Sequence, residues 1–157
     1  RMWTGFALCA KMVLSLEKPG EESIASLGKS LFERLQREFF ALDEKNLSNI
    51  KEAVSNASET AHDASYSIVL ATIIKDALYL VLAGQGSVLV KRDDKIGTVA
   101  KGVEGSIEAF SGPLKHGDIV ILQTHDFSEK IPLDKISEMV DHLGVAEISE
   151  NLAPSLH

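Results

Sequence analysis

The sequence predicts an α+β domain, and three observations carry that prediction: a strand-periodic opening, two helix-periodic stretches in succession, and a run of short apolar segments closed by one more helical stretch. Strands and helices segregated in this way indicate α+β rather than alternating βαβ units. Short apolar runs joined by tight charged turns pair as hairpins, so the strands are expected to be antiparallel.

The opening element spans Phe6 to Leu16, where Phe6, Leu8, Ala10, Met12, Leu14 and Leu16 fall on one face and Gly5, Ala7, Cys9, Lys11, Val13 and Ser15 on the other. Such a strand is covered on its apolar face and at least partly on the other. Pro19-Gly20 interrupts it. Ile24, Leu27, Leu31, Leu35 and Phe39 then recur at steps of three and four, which predicts an amphipathic helix over Glu21 to Leu42. Asp43 or Asn46 can cap a second helix through Ile50, Val54, Ala57 and Ala61, expected to pack more loosely because its apolar residues are smaller. Ile68–Ile74 and Ala77–Ala83 flank Lys75-Asp76 as a hairpin. Val88–Val90 and Ile96–Val99 make a second one around Arg92, Asp93 and Asp94. Ile107–Phe110 and Ile119–Leu122 add two strands, the latter a block of the kind buried on both faces. Pro132 and Gly144 bracket a third helix whose Leu133, Ile136, Met139, Val140 and Leu143 face inward.

A chain of 157 residues is expected to form one domain over positions 1–157, large enough to bury roughly two-thirds of its unfolded surface. With 45% hydrophobic and 25% charged residues and 4 prolines, a disordered or collagen-like polymer is excluded. A net charge of −7 argues against a nucleic-acid partner, because sequence-independent affinity for polyanions comes from Lys and Arg. Cys9 is the single cysteine, so no internal disulfide forms, and in an apolar run it acts as a small hydrophobe. The apolar stretch Phe6–Leu16 is too short to span a bilayer and lacks a signal-peptide pattern. No membrane segment within this chain and a cytoplasmic location are therefore expected. The first residue is Arg1 rather than Met, which leaves room for a longer parent protein.

Three phrases carry more than periodicity. The first is Lys115-His116-Gly117-Asp118, an apolar strand Ile119–Leu122, then Gln123-Thr124-His125-Asp126-Phe127-Ser128-Glu129. The second runs along Ala77–Ala83 into Gly84-Gln85-Gly86-Ser87 and out along Val88–Arg92. The third is the strand ending at Leu16, followed by Gly20-Glu21-Glu22-Ser23-Ile24-Ala25-Ser26. Their order and content resemble the metal-dependent PPM-type (protein phosphatase 2C-like) Ser/Thr phosphatases over nearly the whole chain. The resemblance implies an antiparallel β-sandwich with helices packed on its outer faces, here trimmed. It also implies a metal pocket at Leu16, Glu17, Gln85, His125 and Asp126. The family carries Asp-Gly where Leu16-Glu17 and His125-Asp126 stand, and Asp where Gln85 stands, so this chain resembles a degenerate member without the metal-binding aspartates.

The family's chemistry needs two divalent ions about 4 Å apart to generate hydroxide and clamp the phosphate. Mg²⁺ and Mn²⁺ want carboxylate oxygens and water, and neither leucine nor a neutral imidazole replaces them. The expected function is thus a non-catalytic pseudophosphatase that binds a protein partner as a scaffold or regulator, with no catalytic residue and no cofactor. The alternative is a divergent phosphatase whose Mg²⁺ or Mn²⁺ ligands are rebuilt from Glu17, His125 and Asp126. A third reading is an assembly domain that forms an oligomer. His62-Asp63, and His116 with Asp118, read as turn residues rather than ligands. Gly84-Gln85-Gly86 lacks the Lys and the following helix of a phosphate-binding loop. Ser23, Ser26 and Ser128 have no readable base, so no hydrolytic triad is expected. Trp3 and Phe6 read as core or edge-strand residues rather than as a partner anchor.

Overall fold

The computed structural model describes residues 2–6, 10–17, 24–61 and 64–142. Its elements are β1 (Met2–Phe6), β2 (Ala10–Glu17), α1 (Ile24–Phe40), α2 (Leu47–Ser58), a 3₁₀ turn at Glu59–Ala61, β3 (Ser65–Ile74), β4 (Ala77–Ala83), β5 (Gly86–Arg92), β6 (Lys95–Lys101), β7 (Ile107–Pro113), β8 (Ile119–Thr124), α3 (His125–Lys130) and α4 (Leu133–His142). A five-stranded sheet has the order β1-β2-β3-β4-β7 and a three-stranded sheet the order β6-β5-β8. Every pairing is antiparallel.

Strand alternation divides the core into three layers. From the five-stranded sheet, Met12, Leu16, Ile68, Leu70 and Val81 pack outward against Leu31, Leu35 and Phe39 of α1 and Ile50 and Val54 of α2. The intervening residues Val13, Val69, Ala71, Leu80 and Leu82 point the other way and meet Val88 and Ala100, with Val120 and Leu122, of the second sheet. On the far side, Leu89, Ile119 and Ile121 lie against Ile136 and Val140 of α4. The result is helices, sheet, sheet, helix, each interface built from side chains of one parity. Full burial of each large aliphatic side chain stabilises by about 1.5–3 kcal/mol.

Both central hairpins form as the turn signals require, with Ile74 opposite Ala77 and Arg92 opposite Lys95. Lys75 and Asp93 take positive φ values of 57° and 54° at the turns. Arg92 ends β5 rather than sitting in the turn. Asn46 caps α2, its side chain accepting from the Asn49 N–H at 2.9 Å.

Four expectations are corrected. The opening strand is two: β1 and β2 fold back on each other with Met2 opposite Ser15 and Phe6 opposite Lys11. A period of two is the same on both arms of a hairpin, so without a Gly or Pro it does not locate the reversal. The second helix is not loosely seated, since Ile50, Ala53, Val54, Ala57 and Ser58 are all buried; small side chains let it approach α1 and the sheet closely. Leu133 is 46% exposed on the first turn of α4 instead of facing inward. Finally, a short helix, α3, begins where only a strand end was read. Cys9, Pro19-Gly20, the start of the predicted first helix, His62-Asp63, Leu143 and Gly144 lie outside the described residues. No helix among the described residues is long and apolar enough to cross a membrane.

Candidate functional site

The two sheets are stitched together at one end by the link from β4 to β5. Gly84 there has φ 77°, and a Cβ on it would collide with the Tyr66 carbonyl. A Cβ on Gly102 would collide with the Gly84 carbonyl, and one on Gly86 would lie 2.6 Å from a Val69 methyl. The Gly84 N–H donates to the Ser106 carbonyl at 3.0 Å and the Gly102 N–H to the Gly86 carbonyl at 2.8 Å. Three backbones therefore cross at contact distance, which glycine alone permits.

Ser67, at the start of β3, ties this crossing to the end of β8. Its hydroxyl donates to the Gln85 carbonyl at 2.5 Å and accepts from the His125 N–H at 3.4 Å. His125 opens α3, whose first turn is closed by the Ser128 hydroxyl donating to the His125 carbonyl at 2.8 Å. Thr124 stands at the N-cap without a side-chain capping bond, its Oγ1 buried with no hydrogen-bond partner. An unsatisfied buried hydroxyl costs about 1–3 kcal/mol, which marks this junction as a place where stability is not maximised.

These residues surround a pocket of about 40 Å³ lined by Ser15, Ser67, Gln85, Glu104, His125 and Asp126, with Ser65 and Tyr66 at its wall. It adjoins a depression of about 430 Å³ that shares Gln85, Glu104 and His125 and continues to Lys101, Ser128 and Glu129. Of the five positions singled out in the sequence, Gln85, His125 and Asp126 converge here. Leu16 does not: it is 1% exposed and belongs to the core beneath α1 and α2. Among the described residues its neighbour Ser15 is the β2 residue that lines the pocket. Glu17 continues β2 with its backbone opposite Ser65.

Ser15, Ser67 and Glu104 were missed as site residues. The available signal was a polar residue interrupting an apolar strand, since Ser15 and Ser67 are 4% and 3% exposed. Glu104 has no sequence signal, because the β6–β7 link brings it in from a distance.

Gly117 and Asp118, the best match to the family's Gly-Asp turn, are structural. Asp118 accepts from Arg92 Nε at 2.9 Å and Nη2 at 2.6 Å, and from the Lys115 N–H at 2.8 Å. These bonds, Arg92 foremost, hold its carboxyl down at about 2, and Gly117 supplies the φ of 89° that the turn needs. His116 and Asp118 are thus turn residues, as read from the sequence.

The resemblance implies two hard divalent ions, whose ligands would be carboxylates and water. The lining is rich in hydroxyl and amide groups. Glu104, His125 and Asp126 share the pocket, yet no three His, Cys, Asp or Glu side chains among the described residues close into a metal-holding group.

No family model matches the sequence, and no curated protein does. Solved structures do match. The catalytic domain of the serine/threonine phosphatase PstP, in complex with two manganese ions, superposes with a TM-score of 0.78 at 12% identity over 99% of this chain and 84% of that one. The PPM Ser-Thr phosphatase MsPP from Mycobacterium smegmatis gives 0.74 at 9% identity, covering 99% and 84%. The photosystem II phosphatase PBCP gives 0.77 at 15% identity, covering 99% and 71%. On these superpositions the chain has the α+β, antiparallel-sandwich fold of the PPM-type serine/threonine phosphatases.

Proposed function

We propose that the chain is a non-catalytic phosphatase-fold module that acts by binding a protein partner. The observation that carries this reading is the orientation of β2. Leu16, at the strand end where the resemblance implies a metal ligand, packs into the helix-side core, while its neighbour Ser15 lines the pocket. Gln85 and His125 offer an amide and an imidazole where hard ions want carboxylate. The frame of the sandwich is held by the glycine crossing and the Ser67 tie beside the pocket and by the Asp118 clamp at the other end of β5. A scaffold kept while its ligands are replaced fits a surface selected for recognition, since function resides in the site rather than in the fold. The test is a phosphatase assay with p-nitrophenyl phosphate and with a phosphothreonine peptide in Mn²⁺ buffer. Phosphate release at the level of a heat-inactivated control is expected; turnover above it defeats the reading.

A second reading is favoured by one observation, that His125 and Asp126 line a single pocket. Under it, a rebuilt site using Glu17, His125 and Asp126 binds Mg²⁺ or Mn²⁺ and retains phosphatase activity. It requires that His125→Ala abolish metal binding, measured by calorimetry. Unchanged binding removes that assignment.

A further inference from the structure

Two hollows at opposite ends of β5 differ in charge. At the Arg92 end a cleft of about 700 Å³ opens between β6 and β7. It is apolar along Leu78, Leu80, Ile96 and Phe110, but Arg92 and Lys95 stand beside Asp93 and Asp94 at its turn end, so its charge selects no one partner. The pocket of about 40 Å³ at the Gly86 end is one-sided: Glu104 and Asp126 line it, and no Lys or Arg does. Among the described residues no ion pair engages either carboxylate. Lys101 lines the adjoining depression but not the pocket, and Glu129 lines that depression with it.

A second observation is independent of charge. Ser15 lies opposite Ser67 in the β2–β3 ladder, so the two side chains stand on one face of the sheet. It is the face turned to the second sheet, where Val13 and Val69, the pair two positions back, meet Val88. Ser67 commits its hydroxyl to the Gln85 carbonyl and the His125 N–H. Ser15 is 4% exposed and lines the pocket, and its hydroxyl has no hydrogen-bond partner among the described residues. Buried hydroxyls are almost always bonded, so the partner of Ser15 comes from whatever enters the pocket. A water supplies the hydrogen bond without charge; the two carboxylates call for a cation.

Size and donor count narrow the choice. Since a water needs about 10–15 Å³, the pocket holds about three water-sized atoms. That admits an ammonium and the methylene behind it, and is too narrow for a planar guanidinium. An ammonium donates three hydrogen bonds and accepts none, which suits one hydroxyl and two carboxylates. It also asks less of geometry than a metal ion, for which no three His, Cys, Asp or Glu side chains close among the described residues.

We propose that this pocket receives the ammonium of a lysine side chain from the protein partner. The partner's chain lies in the adjoining depression of about 430 Å³, against Val103, which is 57% exposed. The inference rests on the partner-binding reading above and gives that partner its anchoring residue.

The test is titration of a capped Ala-Val-Lys-Val-Ala peptide into the full chain in metal-free buffer, followed by amide NMR. Saturable shifts in the millimolar range are expected at Ser15, Ser67, Gln85 and His125. Neither the Nε-acetylated peptide nor one with norleucine in place of lysine should produce them, and an arginine peptide should bind about tenfold more weakly. Asp126→Asn combined with Glu104→Gln keeps the shape of both side chains and is expected to weaken the lysine peptide about tenfold or more. No saturable shift, equal shifts from the acetylated peptide, equal affinity for the arginine peptide, or shifts remote from the pocket would each overturn the inference. A phosphatase assay on the same sample separates the two claims. Turnover defeats the non-catalytic reading and this inference with it, whereas an inert chain indifferent to lysine defeats this inference alone.

Discussion

The two ends of β5 use glycine in opposite ways. At the Gly86 end, three glycines are demanded by the chain itself: backbones cross at contact distance and Gly84 sits at a φ that L side chains avoid. At the Arg92 end, Gly97 and Gly112 face open space with ordinary φ. The first end holds the two sheets together around a small polar pocket, and the second leaves them apart around a large apolar cleft. Residue type alone does not separate the two cases. What separates them is whether anything in the molecule already occupies the volume a side chain would take.

The comparison breaks most sharply at Gly84. Gly84→Ala combines an unfavourable φ with a collision against the Tyr66 carbonyl, and is expected to cost about 3 kcal/mol or more in urea denaturation. Gly102→Ala removes the same close crossing without the φ penalty and should cost somewhat less. A loss below about 1 kcal/mol at both positions would show that the crossing relaxes easily. Next in size is Leu16→Ala, expected to cost about 2–5 kcal/mol because it empties a site in the helix-side core. Gln85→Ala, on the pocket wall, should stay within about 1 kcal/mol. Similar losses at Leu16 and Gln85 would contradict the opposite facing of these two positions.

Much of the fold was legible because periodicity reports which face a strand or helix buries. Met12, Val13 and Leu16 sort into the correct layers on parity alone, and the hairpins at Lys75-Asp76 and Asp93-Asp94 follow from their turns. The β1–β2 reversal was not legible, because a hairpin preserves the period of two. Nor was α3, six residues long, too short to show a helical repeat. The site was half legible. Local phrases located Gln85, His125 and Asp126, whereas Ser67 and Glu104 arrive through pairing and a link between sheets, which no local pattern encodes. Leu16 shows the limit from the other side: a position one residue from the pocket lining faces the opposite way.

The Asp118 clamp adds a pH signature at the cleft end. Its folded pKa lies near 2, below the ordinary carboxylate value of 3.8. The stabilisation is therefore complete above the ordinary value and is lost as pH falls toward the folded one. Acid titration should show stability declining between about pH 4 and pH 2, and Asp118→Asn should flatten that part of the curve while lowering stability at neutral pH. An Asp118 pKa at the ordinary value by NMR would remove the effect. The smallest change is expected from Gly97→Val and Gly112→Val, within about 0.5 kcal/mol of the parent and of either sign. A large loss at either would mean that the space beside it is not open.

The central proposal is that the pocket of this phosphatase-like fold does not take two divalent metal ions. Calorimetric titration of Mn²⁺ into the purified chain addresses it directly, with an active PPM-type phosphatase titrated under the same conditions. The account predicts saturable two-site binding for the active enzyme and no saturable heat for this chain at the same concentrations. Two-site binding of Mn²⁺ to this chain, at a strength comparable to the active enzyme, would contradict it.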